Sequence, residues 1–240
     1  MSLFSVIPRS GIVWLKPEER KMPMGQDFSK YQEGDPPHPP EDGSNVIVSA
    51  DTRRSERLPP GQSRTRKWPI LHWKRVPKIA TDDWRFFVRG EVENPFELSW
   101  SEFQQLPRVQ VFSDFHCVTR WSRLGNLWEG VSAAEILGRA GVEPSAKFVI
   151  AHGFDDGFTT NLPLEYFAAD DVLLADLHDG EPISADHGGP VRLVVPKLYA
   201  WKSAKWVSGL VFSPVDEPGY WERNGYHDRG DPWTEERHSW

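Results

Sequence analysis

The pair His116-Cys117 is the first place in this chain where residue types and spacing invite chemistry. Cys117 is the single cysteine in 240 residues. A disulfide framework, an iron–sulfur cluster held by this chain and a multi-cysteine zinc site are therefore excluded, because each needs several thiolates. If the thiol works, it works alone. It follows a histidine and precedes Thr119, Arg120, Trp121 and Ser122, a polar and cationic setting that favours thiolate. Thiolate is also the soft donor that heavier transition metals prefer. The plain alternative is a buried cysteine acting as a small hydrophobe.

A second group of residues has the chemistry of an anion site. His187-Gly-Gly-Pro190-Val-Arg192 sets a histidine and an arginine five apart around a glycine turn, and Lys197, Lys202 and Lys205 follow. Such a turn lets backbone N–H groups approach an anion, while Arg and Lys supply charge for a phosphate. The alternative is a solvated basic loop. Tyr199, Trp201 and Trp206 in the same stretch point instead to a covered cleft. Taken singly, His72 in PILHWKRVP and Asp155 in HGFDDGFTT read equally well as hydrogen-bonded loop residues. The tail PGYWERNGYHDRGDPW is charged and aromatic with almost no aliphatic residues, which suggests that it folds back to close a site.

These residues need elements to hold them. Residues 1–66 carry nine of the 21 prolines and include GDPPHPPEDGSN at 34–45, which suits neither a helix nor a central strand. Residues 1–55 are expected to form an extended arm with one short strand at Val46–Val48, and 56–240 a folded domain. Alternation over Val109–Val118 predicts a strand that delivers Cys117 at its end, with His116 on the opposite face. Further strands are expected over Trp84–Val92, Lys147–Ala151, Val172–Leu177, Val191–Val195 and Trp206–Ser213. Short helices are expected from the capping spacing Ser99-Trp-Ser-Glu102, from Ser132-Ala-Ala-Glu135 to Gly141, and over Leu162–Ala168. Asp179-Gly180 reads as a hairpin turn. Short strands outnumber brief helices and no glycine-rich phosphate loop alternates with them, so the fold class is α+β with mixed sheets.

Charge sets further limits. The net charge is −7 with pI near 5.6, which argues against a nucleic-acid partner. No run reaches the roughly 18 apolar residues of a membrane span. The first twenty residues are broken by Pro8, Arg9 and Lys16, and Arg53-Arg54 lies too deep for an export signal. The expected location is the cytoplasm.

Together the segments RLPPGQ (57–62), LHWKRVP (71–77), FHCVTRWS (115–122) with WEGV downstream, LLADLHDGEPIS, DHGGPVRLVVP and KSAKWVSGLVF resemble the molybdopterin-binding domain of the sulfite oxidase family over about residues 56–240. They look most like the bacterial sulfite oxidase-like oxidoreductases, and the HCV-x-x-W segment is also similar to the catalytic subunit of the periplasmic methionine sulfoxide reductase. The resemblance implies a compact α+β fold of mixed sheets and a molybdenum–molybdopterin cofactor. Cys117 would be the protein's molybdenum ligand. His72, Asp155, His187, Arg192, Ser203 and Lys205 would contact the pterin and its phosphate, and Tyr226 would point into the substrate pocket as a hydrogen-bond donor to a bound oxyanion.

Two departures bear on substrate. Where sulfite oxidases carry arginines for sulfite, this chain has Val118-Thr119-Arg120-Trp121-Ser122 after the cysteine and Pro69-Ile70-Leu71 before His72. Fewer cations disfavour a sulfite dianion and favour a neutral or weakly charged S-oxide or N-oxide exchanging an oxygen atom. A chain of this length leaves no room for the family's haem domain, so electrons are expected to pass to or from a separate partner. The rival readings are a cysteine-nucleophile enzyme and a non-catalytic binder of a phosphorylated ligand.

Overall fold

A computed structural model describes residues 37–40, 45–72, 74–154 and 157–239. Most of the expected arm, residues 1–36 and 41–44, lies outside that description.

The strands in chain order are β1 (Val46–Val48), β2 (Ser63–Arg64), β3 (Arg85–Gly90), β4 (Phe96–Ser99), β5 (Val109–His116), β6 (Trp121–Ser132), β7 (Phe148–Gly153), β8 (Thr159–Pro163), β9 (Leu173–His178), β10 (Glu181–Pro182), β11 (Arg192–Val194) and β12 (Val207–Ser213). The α-helices are short: α1 (Trp100–Gln104), α2 (Ala133–Ala140), α3 (Leu164–Phe167) and α4 (Tyr220–Arg223). One sheet runs β1-β5-β6-β9-β10, with β2 on β6 and β11 on β9, and the other runs β4-β3-β12-β7-β8. Both mix parallel and antiparallel pairs: β1 lies parallel to β5 and β12 parallel to β3, while β5–β6 and β12–β7 are antiparallel. The α+β expectation holds.

Local rules account for the helices. Ser99 caps α1 in a full capping box with Glu102, and Ser132 accepts the Glu135 N–H at 3.1 Å to open α2. Gly141, left-handed at φ 60°, closes α2. Asp179 and Gly180, at φ 50° and 85°, make the β9–β10 turn. Two expectations need correcting. The helix expected from Leu162 begins only at Leu164, because residues 159–163 pair with β7 from Thr159↔His152 to Pro163↔Phe148. The strand expected over Val109–Val118 ends at His116, and the chain turns at Cys117 straight into the twelve-residue β6.

The main core packs Trp84, Phe86, Phe103, Leu162, Phe167, Leu210 and Phe212, each such side chain contributing about 1.5–3 kcal/mol on burial. A smaller cluster of Val111, Phe115, Trp128, Ile183 and Val194 lies on the first sheet, with Trp68 and Trp121 packed against it. Phe115, Trp68 and Trp121 from that second cluster line the cavity described next.

Candidate active site

Cys117 sits at the tip of the β5–β6 hairpin. Its N–H donates to Trp121 O at 2.9 Å, and Arg120 N–H donates to Cys117 O at 3.0 Å. This tight closure holds Arg120 at φ 73°, an unfavourable conformation for a side-chain-bearing residue. The turn is held from outside as well. Gln62 Nε2 donates to Cys117 O at 3.0 Å, and Arg237, from the folded-back tail, donates to Val118 O at 2.8 Å and Pro60 O at 3.2 Å. Thr119 Oγ1 donates to the Cys117 sulfur at 3.2 Å. Burial pushes the thiol pKa up, while Thr119 and the charges of Arg237 and Lys205 pull it down.

His116 faces away from this cavity. Its Nδ1 shares a hydrogen bond with Ser122 Oγ at 2.8 Å, and burial pulls its pKa down to about 4. It has neither the direction nor the basicity to activate Cys117, so a cysteine nucleophile would have to draw on a histidine from elsewhere in the chain.

Cys117 opens onto a cavity of about 240 Å³ whose lining also includes His72, Arg192, Ser203, Lys205 and Tyr226. Arg192, at the start of β11, is 2% exposed. Its Nη1 donates to His187 O at 2.6 Å and its Nη2 to Ser203 O at 3.1 Å, while Nε is buried with no partner among the described residues. The guanidinium carbon lies 5.1 Å from the Phe115 ring centre and 5.5 Å from that of Trp68. Burial alone lowers its pKa, to about 9, so it stays cationic at neutral pH. A buried cation held by carbonyls and rings is electrostatically prepared for an anion.

Lys205 Nζ donates to Leu71 O at 2.8 Å and Asp186 O at 2.6 Å, bringing the segments of His72 and His187 together. The glycine turn between them is packed to its limit. A Cβ on Gly188, at φ 103°, would sit 2.8 Å from Lys205 Cβ, and one on Gly189 would sit 1.9 Å from Ile183 O. Ser203 Oγ accepts the Val195 N–H at 3.0 Å. His72 is exposed at the mouth, its Nδ1 donating to Lys74 O at 2.5 Å. His187 stands one layer back: its ring stacks on Trp68, with centroids 3.9 Å apart, and Trp68 lines the cavity in its place. Asp155 lies outside the described residues.

The opposite wall is aromatic. Tyr226 stacks on Trp221 at 5.0 Å and meets the edge of Trp201 at 5.0 Å. Burial first, and the Cys117 charge second, raise its pKa. Trp221 and Tyr226 of the tail line the cavity, and Arg237 reaches the Cys117 turn. Sequence reasoning missed Trp68, Glu222 and Arg237; only the aromatic and charged composition of the tail hinted at the last two.

The sequence profile of the oxidoreductase molybdopterin binding domain matches residues 73–221. The chain belongs to this family. Over 193 residues it is 48% identical to an uncharacterized oxidoreductase, YuiH, of Bacillus subtilis (strain 168), a match covering 79% of this chain and 97% of YuiH. It is 33% identical over 178 residues to the mitochondrial sulfite oxidase of Drosophila melanogaster, covering 63% of this chain but 31% of that protein. A candidate protein-methionine-sulfoxide reductase subunit, YedZ1, of Azospira oryzae is 28% identical, covering 63% of this chain and 57% of the relative. Among solved structures, the sulfane dehydrogenase SoxCD of Paracoccus pantotrophus superposes with a TM-score of 0.57 at 25% identity, covering 66% of this chain and 46% of that one. Apart from YuiH, these relatives are much longer than the region they share with this chain.

This molybdopterin-binding domain is an oxidoreductase that uses the molybdenum cofactor. Its residues fit that group on their own chemistry. The cavity offers one thiol, a buried guanidinium with an unpartnered Nε and a lysine beside a glycine turn. Those are the donors that one metal and one phosphate require. Among the described residues no helix is long and apolar enough to cross a membrane.

Proposed function

We propose that the chain exchanges an oxygen atom with an uncharged S-oxide or N-oxide, with Cys117 as the protein's metal ligand. The observation that carries this reading is that Cys117, Arg192 and Tyr226, far apart in sequence, line one cavity whose remaining wall is largely aromatic. When bound, the molybdenum cofactor supplies a two-electron redox couple and an open position for substrate. Arg192 and Lys205 hold the pterin phosphate, with His72, Asp155, His187 and Ser203 contributing around it. Tyr226 donates a hydrogen bond to the substrate oxygen, and Trp201, Trp221 and Phe158 exclude water. In the reducing direction the sulfur–oxygen bond breaks, two electrons reduce sulfur, and the oxygen leaves with two protons as water.

Among the described residues Arg192 and Lys205 are the only arginine and lysine in the cavity lining, and a phosphate that engages both would leave neither for a sulfite dianion. A separate electron carrier serves the site, and a cytoplasmic location belongs to the same proposal. The test is metal analysis of the purified holoenzyme, followed by reoxidation of the reduced enzyme with a panel of sulfoxides and N-oxides. Stoichiometric molybdenum, lost in Cys117→Ser, and reoxidation by neutral S-oxides are expected. Efficient turnover of sulfite, or a metal-free protein alkylated at Cys117 with loss of activity, would overturn the proposal.

A further inference from the structure

Lys202 and Glu222 form an ion pair at 2.7 Å in which neither side chain has any exposed surface. The same Glu222 oxygen accepts from Thr160 Oγ1 at 2.9 Å and Trp201 Nε1 at 3.0 Å. Lys202 Nζ also donates to the backbone and side-chain oxygens of Asn161, at 2.9 and 2.8 Å. Two segments that are distant in sequence are thus locked together against β8. The fit is close at the start of α4, where a Cβ on Gly219 would lie 2.2 Å from Thr159 O.

Burying two charges is expensive, and an apolar pair of similar volume is often as stable, so such a pair is weak evidence for a stabilising role. Its neighbours suggest another. Trp201 and Ser203 flank Lys202, and both line the cavity; Trp221 precedes Glu222 and lines it too. Glu222 fixes the Trp201 indole, whose ring meets Tyr226 edge-on, and it anchors the short helix carrying Trp221, which stacks on the other side of Tyr226. Lys202 adjoins Ser203, whose carbonyl holds Arg192. We infer that Lys202 and Glu222 are positioning residues that set Tyr226, on the substrate side, in register with Arg192, on the cofactor side. The inference rests on the oxygen-transfer reading for the role of Tyr226, but the register itself is a property of the fold.

The test uses holoenzyme of the wild type and of Lys202→Met/Glu222→Met, in which no charge is left unpaired. Four quantities are read: thermal midpoint, molybdenum content, hydrogen exchange of residues 219–227, and turnover of methionine sulfoxide with reduced benzyl viologen. The double variant should keep its molybdenum and lose thermal midpoint, because Thr160, Asn161 and Trp201 lose their buried partners, yet quicken exchange of 219–227 about tenfold beyond any change in the main core and show KM raised about tenfold. A wild-type KM in the double variant, with 219–227 exchanging no faster than the main core does, would overturn the inference, since a pair that only stabilises costs thermal midpoint without moving either. Trp201→Phe, which keeps the ring against Tyr226 and deletes only the N–H to Glu222, carries the same test if the double variant does not fold. Absence of molybdenum or of turnover in the wild type would count against the oxygen-transfer reading, while the exchange comparison would still decide the positioning role.

Discussion

His187 engages Trp68 twice: its ring stacks on the indole at 3.9 Å and 23°, and its Nε2 donates to the Trp68 carbonyl at 3.0 Å. Trp68 in turn packs against Trp128, with centroids 5.3 Å apart, and lies beside the Arg192 guanidinium. The cavity wall is therefore a layered stack with a histidine at its back. Trp68→Ala is expected to cost about 2–3 kcal/mol, less than a fully buried tryptophan because Trp68 is partly exposed. A double-mutant cycle with His187→Ala, followed by urea unfolding, should return a coupling of about 1 kcal/mol.

Cys117→Ser should separate metal binding from folding. Apart from the Thr119 hydroxyl, the hydrogen bonds that hold the turn go to backbone atoms. The variant is expected to keep its circular dichroism and to lose about 1 kcal/mol or less, while losing its molybdenum by metal analysis.

Arg192 is expected to be far less tolerant. Its removal strands the carbonyls of His187 and Ser203 and opens a cavity among Phe115, Trp68 and Trp128. Arg192→Ala should destabilise by about 3 kcal/mol or more and abolish cofactor retention. Arg192→Lys restores charge without the two-carbonyl fork, so it should recover stability only in part and should still release pterin on gel filtration.

Glycine turn geometry makes a sharper prediction. Gly189→Ala places a methyl group 1.9 Å from Ile183 O, a backbone atom that cannot swing aside. It should destabilise by about 2 kcal/mol or more and detach the His187 segment from Lys205. Gly138→Ala, where a Cβ would meet nothing within 4 Å in the middle of α2, should instead stabilise by about 0.5–1 kcal/mol.

Acid sensitivity should be dominated above pH 5 by buried histidines. His178 packs on Trp68 and Trp128, and its pKa is pulled to about 3, mainly by burial, with Asp179 opposing. The unfolded chain titrates near the ordinary value of about 6.5. Above that pH both states are neutral and the stability is fully present. Below it the unfolded chain takes up a proton that the folded chain refuses, so stability falls by about 1.4 kcal/mol per pH unit until the folded value is reached. His116 adds a similar loss over its own window, down to about 4. Urea unfolding between pH 7 and 5 should show this decline, and His178→Gln should make it shallower, leaving the part due to His116.

What could be read from the sequence was mostly local or came from recognisable segments. The capping pairs Ser99–Glu102 and Ser132–Glu135, the Gly141 stop and the Asp179-Gly180 turn each depend on a few adjacent residues. Cys117 at a strand end followed from alternation over residues 109–118. β6 was not legible, because most of its length is buried and gives no alternation to detect. β8 was hidden because its pairing with β7 is decided by the sheet, and Leu162 fits a helix start as well as a strand. In sequence Lys202 reads as one of a group of anion-binding lysines and Glu222 as a plain tail charge, and only the fold makes them partners. Trp68 gave no sign that it would stand between His187 and the cavity.

The complete enclosure of Lys202 has a practical consequence. An amine with no solvent contact cannot react with an acylating reagent while the tail lies in place, whereas exposed Lys67 and Lys78 can. Acylation of Lys202, read by peptide mass mapping against those two, would make this side chain a built-in clock for the lifting of residues 219–227, timing each opening event without any introduced probe.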